Sequence, residues 1–547
     1  MKIFKNIAFL CIATLVISSG CSLDRKPETT FSDASFWNTE TDLKSACNRL
    51  YQQLAGYGID NRADDSYGQD AGQNQISNGS RAVPNTSESD WNNPYDQIFT
   101  ANNILEKGGK ANVSEDIRNR YYAEAKFFRA YYYFSLVKKY GDVPLVMHTL
   151  DVGDPGLQMP RTPRAVVIDS IYADLDYAAK WLPLQSALPA ADYGRVTKGA
   201  ALAFEARVGL YKGTFAKFHG TDEDYKVNLQ KAVDAASAVM QQNYYSLYPS
   251  YSGMFQHEAD GPANKENVFV KVYGSNAIQN GTYTNVIIGH DNSRNMENGR
   301  FAPTRNLLSY YLCTDGLPWG ISPETVPETS YNSIFENRDP RLGMTVYQMG
   351  EEAYKGPWVP NASAVRTGYA CKKGFNLDDW NNLGKATVDK ALIRYAEVLL
   401  TYAEAKFELN GSISDADLDL TINKLRDRVH MPVHLTNSFV QTHGLDMRTE
   451  IRRERTVELA LEGFRYDDII RWKTAENLLP KDILGARYSA GEWTGTQASS
   501  LNLTPDSILI VEPASKRVFD ASKDYLYPVP LNEISLSGNQ VTQNPNW

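Results

Sequence analysis

Six residues occur twice in this chain. Tyr122-Ala123-Glu124-Ala125-Lys126-Phe127 and Tyr402-Ala403-Glu404-Ala405-Lys406-Phe407 are identical. A related run, Phe204-Glu205-Ala206-Arg207-Val208, lies between them. In each, small alanines alternate with large apolar residues on a helical period, as needed where helices stack in close pairs. The repetition predicts a scaffold of helix pairs, loosely repeated and without a strict period.

Periodicity predicts helices over 39–54, 94–107, 115–140, 163–181, 197–211, 228–242, 391–409, 415–429 and 448–474. Thr39, with Asp42 three residues on, and Ser414 read as N-caps. Between about 246 and 390 the character changes. Gly, Asn, Pro and Tyr rise, and short β-prone runs appear, Val268-Phe269-Val270-Lys271-Val272 and Val286-Ile287-Ile288. The fold class expected is mainly α. A tetratricopeptide-like helix-pair scaffold (36–245 and 391–479) would carry a large irregular loop-rich insertion with short strands (246–390), then a tail (480–547). No linker or low-complexity break divides it, so 21–547 reads as one unit.

The run Arg452–Trp472 reads as one salt-laced amphipathic helix with Val457, Leu461, Phe464 and Trp472 near one face. Glu462 with Arg465 and Asp467 with Arg471 are spaced to pair along it. Gly463 inside such a helix costs ~1 kcal/mol relative to Ala, which suggests that another backbone approaches closely.

The N-terminus reads as an export signal. Lys2 and Lys5 precede an apolar stretch from Ile7 to Ile17, then Ser18, Ser19, Gly20 and Cys21. That stretch is too short to span a bilayer, which takes ~20 residues. Small residues before a cysteine suit lipoprotein processing, so Cys21 is the expected lipid anchor and 1–20 the signal peptide. Ser18 stands where an aliphatic residue is more usual. Without 1–20 the formal net charge moves from −9 to −11. That excludes nucleic acid as an expected partner, since phosphate binding wants a basic face. The remaining cysteines, Cys47, Cys313 and Cys371, have no metal-like spacing, and read as buried thiols with one disulfide possible.

Nothing marks a catalyst, a cofactor site or a metal site. His430 and His434 have zinc-helix spacing, but Pro432 between them breaks the helix. Asp415, Asp417 and Asp419 imitate a calcium loop, yet Leu420 and Arg426 stand where that loop needs Gly and Glu. Carboxylates are plentiful, so a glycosidase would be recognised only by two of them ~5–5.5 or ~6.5–9.5 Å apart.

Sugars present apolar C–H faces ringed by hydroxyls, and their binders need flat rings flanked by polar groups. The chain has 33 Tyr, 20 Phe and 9 Trp. Those in helices, Tyr131 to Tyr133 among them, read mainly as packing. The polar stretch from Gly56 to Asp90 is too long for a simple connector. It holds Asp60, Asn61 and Asp65 and ends at Trp91, the first candidate for a stacking platform. A second loop carries His290, Asn292 and Arg294. A third runs from Tyr310 through Cys313 to Trp319, and a fourth holds Trp358, Arg366, Tyr369 and Lys372 ahead of Tyr395.

Five further runs, in order, accompany Arg452–Trp472. They are Phe36-Trp37-Asn38-Thr39 with Asn48-Arg49-Leu50-Tyr51; Trp91-Asn92-Asn93-Pro94-Tyr95-Asp96-Gln97-Ile98 with Asn102-Asn103; Arg129-Ala130-Tyr131-Tyr132-Tyr133-Phe134 with Tyr140-Gly141-Asp142-Val143-Pro144-Leu145; Ile393-Arg394-Tyr395-Ala396-Glu397-Val398-Leu399-Leu400; and Tyr527-Pro528-Val529-Pro530 with Gln543-Asn544-Pro545. Together they resemble the SusD/RagB family of surface nutrient-binding lipoproteins across nearly the whole mature chain. The resemblance implies a SusD-like fold, binding of oligosaccharide or polysaccharide without turnover, and no enzyme activity. It also implies a cell-surface outer-membrane location through the lipid anchor alone, and a SusC-like TonB-dependent transporter as partner, for which the chain is the lid. Relatives place ligand contacts in the loop before Trp91. A peptide ligand is the alternative within the family, and a glycoside hydrolase the alternative outside it.

Overall fold

The computed structural model describes residues 36–221, 224–274, 291–381, 386–493 and 495–547. Cys21, His290 and Val286-Ile287-Ile288 lie outside the described residues. The chain is mainly helical. Its long helices are α1 Glu40–Asn48, α2 Ser89–Lys107, α3 Glu115–Tyr140, α4 Arg164–Trp181, α5 Lys198–His219, α6 Tyr225–Met240 and α7 Tyr395–Asn410. They pack in succession, α2 on α3, α3 on α4, α4 on α5 and α5 on α6, with α7 returning onto α6.

Local chemistry sets these elements. The Ser114 side chain accepts the Ile117 N–H, Glu115 and Asp116 occupy the first turn of α3 and Lys138 and Lys139 its last, and Gly141 ends it at φ +74°. Thr39 and Asp42 close a capping box at α1. Where α5 meets α6, a Cβ on Gly209 would lie 2.7 Å from the Asn228 carbonyl oxygen, so only glycine permits that approach.

The twin hexapeptides do the same thing twice. Ala123, Ala125, Ala403 and Ala405 are wholly buried, and so are the glutamates beside them. Arg195 grips Glu124 at 2.7 and 3.1 Å, and Arg471 grips Glu404 at 2.5 and 2.7 Å. Burial alone would push the Glu404 carboxyl up, but the Arg471 guanidinium outweighs it and holds the group at about 2.

Strands are few and short: β1 Ser66–Tyr67 pairs with β3 Ala302–Pro303, β2 Asn267–Lys271 with β4 Lys390–Arg394, and β5 Ile483–Arg487 with β6 Ile508–Glu512. The loop-rich half nonetheless has an apolar core of its own. Tyr311, Tyr331, Tyr347, Tyr354, Trp358 and Tyr369 gather there with Trp493 from the tail and Val457 from the scaffold side. The helices share a separate, larger core. Cys47, Cys313 and Cys371 are free, buried thiols, so no disulfide joins them.

Several helix boundaries differ from expectation. The helix expected over 94–107 starts at Ser89 and carries Pro94 inside it. The one expected over 391–409 starts at Tyr395, because Lys390–Arg394 is drawn into β4 by pairing with β2. The one expected over 415–429 breaks at Thr421, leaving Asp415–Leu420 and α8 Ile422–Arg428.

The run Arg452–Trp472 is two helices, α9 Met447–Glu458 and α10 Arg465–Arg471, separated by a turn. Leu461 (φ +61°) and Gly463 (φ +88°) take left-handed backbone there. A Cβ on Gly463 would meet only Asp60 Oδ2, at an ordinary 3.6 Å. Glycine serves that backbone conformation, and no neighbouring backbone presses on it. The expected pairs along the helix do not form. Glu462 reaches Arg394 and Lys373, Arg465 reaches Asp64, Asp467 reaches Lys138, and Arg471 reaches Asp468 and Glu404.

Candidate functional site

Between the two cores lies a cavity of about 560 Å³, within the ~300–1,000 Å³ of small-ligand sites. One wall is helical. Tyr131, Phe134, Ser135 and Lys138 line it from α3 at i, i+3, i+4 and i+7, and Phe204, Arg207 and Tyr211 from α5. The segment 55–65, the start of β4 and the turn Leu461–Phe464 supply other sides. The loop half contributes Asn292, Met296, Phe301 and Lys373. The run that most resembles a family signature thus helps to form the cavity.

Four of the lining rings, Tyr57, Tyr131, Phe255 and Phe464, are only half-buried. Tyr131 sits 5.3 Å from Phe204, and Tyr57 sits 5.9 Å from Tyr273. The guanidiniums of Arg207 and Arg455 lie 5.2 and 5.4 Å from the centre of the Phe464 ring, a contact that fixes the ring through its quadrupole.

Most charges on the cavity wall are already paired. Arg62 bonds Asp60 at 2.7 Å, Lys139 bonds Asp90 at 2.6 Å, Arg207 bonds Glu397 at 2.6 Å, and Lys373 bonds Glu462 at 2.7 Å. Lys138 pairs with Asp467, and Arg455 holds Asp468 at 2.9 Å. These pairs pin side chains that would otherwise be mobile, giving a fixed set of donors and acceptors between the rings.

The candidates from sequence divide. Asp60, Asp65 and Asn292 line the cavity. Asn61 lies behind the wall as a strut, its Nδ2 donating to the Arg300 carbonyl at 2.7 Å and its Oδ1 accepting from Ser66 at 2.9 Å. The structure does not bring the others there. Trp91 is 4% exposed, wedged against Tyr140 at 4.9 Å and Tyr95 at 5.5 Å, and belongs to the helical core. Tyr395 is also a core ring, facing Tyr245. Tyr369 and Cys313 are buried in the loop half, where Arg305 donates to the Tyr369 hydroxyl. Arg294 is spent on Glu297 at 3.0 Å and on the Trp380 face, and Arg366 stands exposed elsewhere. The rings at Tyr57, Tyr131 and Phe464 and the cations Arg207 and Lys390 were missed. Tyr131 had one signal, a helix face mixing rings with Ser135 and Lys138, and Tyr57 another, its place in the polar stretch from Gly56 to Asp90.

Asp65 differs from the other acids of the wall. Burial, then Asp64 and Asp60 close by, push its carboxyl from 3.8 to about 8. Such a group binds its proton more tightly folded than unfolded, so stability falls as pH rises from about 4 to about 8. Asp65→Asn should therefore raise the melting temperature more at pH 8 than at pH 5. Equal melting shifts at the two pH values would refute this.

The chain's second half, residues 265–547, matches the family model described as the SusD family, and residues 23–210 match one described as starch-binding associating with outer membrane. SusD-like protein P2 of Formosa agariphila is 26% identical, with both chains covered in full. Among solved structures, a SusD-like carbohydrate binding protein from Bacteroides fragilis superposes with a TM-score of 0.74 at 25% identity, covering 92% of this chain and 99% of its own. A laminarin binding SusD-like protein superposes at 0.62 and 21% identity, covering 93% and 100%, and speaks for the fold alone. A family model spanning more than half the sequence and full-length likeness in both sequence and fold lead to one conclusion: the chain belongs to the SusD family.

Proposed function

We propose that this chain captures oligosaccharides in the cavity between its two cores and delivers them to a TonB-dependent outer-membrane transporter, as that transporter's lid. On this reading it is a surface lipoprotein held by acylated Cys21. No helix among the described residues is long and apolar enough to cross a membrane, so attachment would rest on that anchor. The family and the carbohydrate-binding relatives support the ligand class. The observation that carries the reading is the wall itself, where half-buried rings alternate with hydrogen-bonding groups fixed by ion pairs. Rings of that kind meet the C–H faces of a sugar, and fixed carboxylates and guanidiniums meet its hydroxyls.

Binding without turnover fits the same wall. A glycosidase needs a protonated acid beside a free carboxylate. Asp65 keeps its proton, but Asp60 is bonded to Arg62 and Asp64 to Arg465 at 2.8 Å. Neither meets a ligand as an unpaired carboxylate, and Asp64 does not line the cavity.

Affinity electrophoresis over a polysaccharide panel tests the reading, with Tyr57→Ala and Phe464→Ala beside the wild type. One retarding polysaccharide is expected. Each ring removed should weaken its binding by ~0.5–1.5 kcal/mol, about two- to thirteenfold. Retardation unchanged in both variants would remove the cavity as the site. Sugar fragments released from the panel would show a hydrolase instead, and retention of peptides alone would show the other family role.

A further inference from the structure

The pairing of β2 with β4 sets Lys271 directly opposite Lys390. Residues so opposed share one face of the pair, and like charges there are destabilising. Among the described residues neither ammonium has an ion-pair partner. Lys390 Nζ donates to the Gly56 carbonyl at 2.6 Å, and Lys271 Nζ to the Leu54 carbonyl at 2.8 Å. Lys390 lines the cavity, 5.8 Å from the centre of the Tyr57 ring.

The surrounding acids do not neutralise it. Asp60 is held by Arg62, and Glu462 by Arg394 and Lys373. Asp65 is protonated at neutral pH. Burial and the neighbouring Lys271 push the Lys390 ammonium down to about 8, so it still carries its charge through the neutral range. Among the described residues the cavity wall therefore balances its charges pair by pair and leaves one cation over, backed by a second. A bound anion would relieve the repulsion that the register builds in.

We propose that the glycan taken by this cavity is acidic, and that its carboxylate or sulfate group docks on Lys390 with Lys271 behind it. The proposal rests on the cavity being the glycan site and narrows the substrate class from sugars in general to anionic ones. Neutral residues of the same chain would lie against the rings.

Calorimetry on the full chain with three oligosaccharides of matched length tests it: a galacturonate oligomer, a sulfated galactan oligomer and an uncharged glucan oligomer. At least one acidic probe should bind about tenfold more tightly than the uncharged one, and which of the two does so tells carboxylate from sulfate. Lys390→Gln should abolish that preference and Lys390→Arg should keep it. Binding of the preferred probe at pH 8 should take up protons, seen as a dependence of heat on buffer, and Lys390→Gln should lose this uptake. Its melting temperature should not fall, because the substitution removes a like-charge pair. Equal affinity for all three probes, or a preference that survives Lys390→Gln, would overturn the acidic assignment while leaving glycan capture intact. No binding of any probe would overturn both.

Discussion

Arg394→Met is expected to destabilise the protein by ~3–5 kcal/mol, the cost of stripping one partner from a buried charge cluster. Arg394 is 2% exposed and meets three carboxylates at once. Its guanidinium lies 2.8 Å from Glu266, 2.6 Å from Glu458 and 2.7 Å from Glu462. Arg341 and Arg428 bind Glu458 from other sides. Burial would lift the Glu458 carboxyl, but Arg428, Arg394 and Arg341 together hold it well below the usual carboxylate range. With Arg394 gone, the wholly buried Glu266 loses its nearer guanidinium and the half-buried Glu462 keeps Lys373. The cluster as a whole need not add net stability, since ion pairs in a dry interior barely repay their desolvation. Breaking it is what costs. Denaturant unfolding measures this directly as a fall in the midpoint. Adding Glu462→Gln to Arg394→Met should recover part of the loss, because it removes a carboxylate that would keep Lys373 but lose Arg394. An unchanged midpoint in the single variant would show the cluster to be dispensable.

Trp91→Ala is expected to cost ~3–5 kcal/mol for a different reason, the void left by a large buried ring. Tyr95 and Tyr140 lose their packing partner, and Tyr140 in turn packs on Tyr527 at 6.1 Å. Glycan affinity per folded molecule should stay near that of wild type, since the ring itself does not line the cavity, although Asp90 beside it does. Melting temperature and calorimetry on the same sample separate the two effects. Full stability with lost binding would restore Trp91 as a stacking platform.

Where both ends of an element carried their own signals, the sequence was easily read. Helix α3 lies where expected because Ser114 caps one end and Gly141 stops the other. The run Arg452–Trp472 misled because its charges satisfy helical spacing while serving tertiary partners. Spacing says which side chains could meet along a helix, and cannot say that Arg394 waits for Glu462 or Lys138 for Asp467. Trp91 misled through Pro94, which reads as a helix boundary and instead lies inside α2. Asp60 and Asp65 were legible as cavity residues because a long polar segment has few other uses, and Asn292 through the second polar loop expected around it. Tyr131, Arg207 and Phe464 were not, because a ring on a helix looks alike whether it fills a core or walls a cavity. Lys390 became visible only through its opposite neighbour in another strand.

The separation of the apolar interior into two cores has a consequence for how such a chain changes over generations. Substitutions in contacts that are far apart add nearly independently. The aromatic core under the loops can therefore be rebuilt, and the loops above it resculpted, without taxing the helices that stack beneath. A drifting lineage can alter what the cavity admits on one side while the other side, α3 and α5, keeps the frame in register.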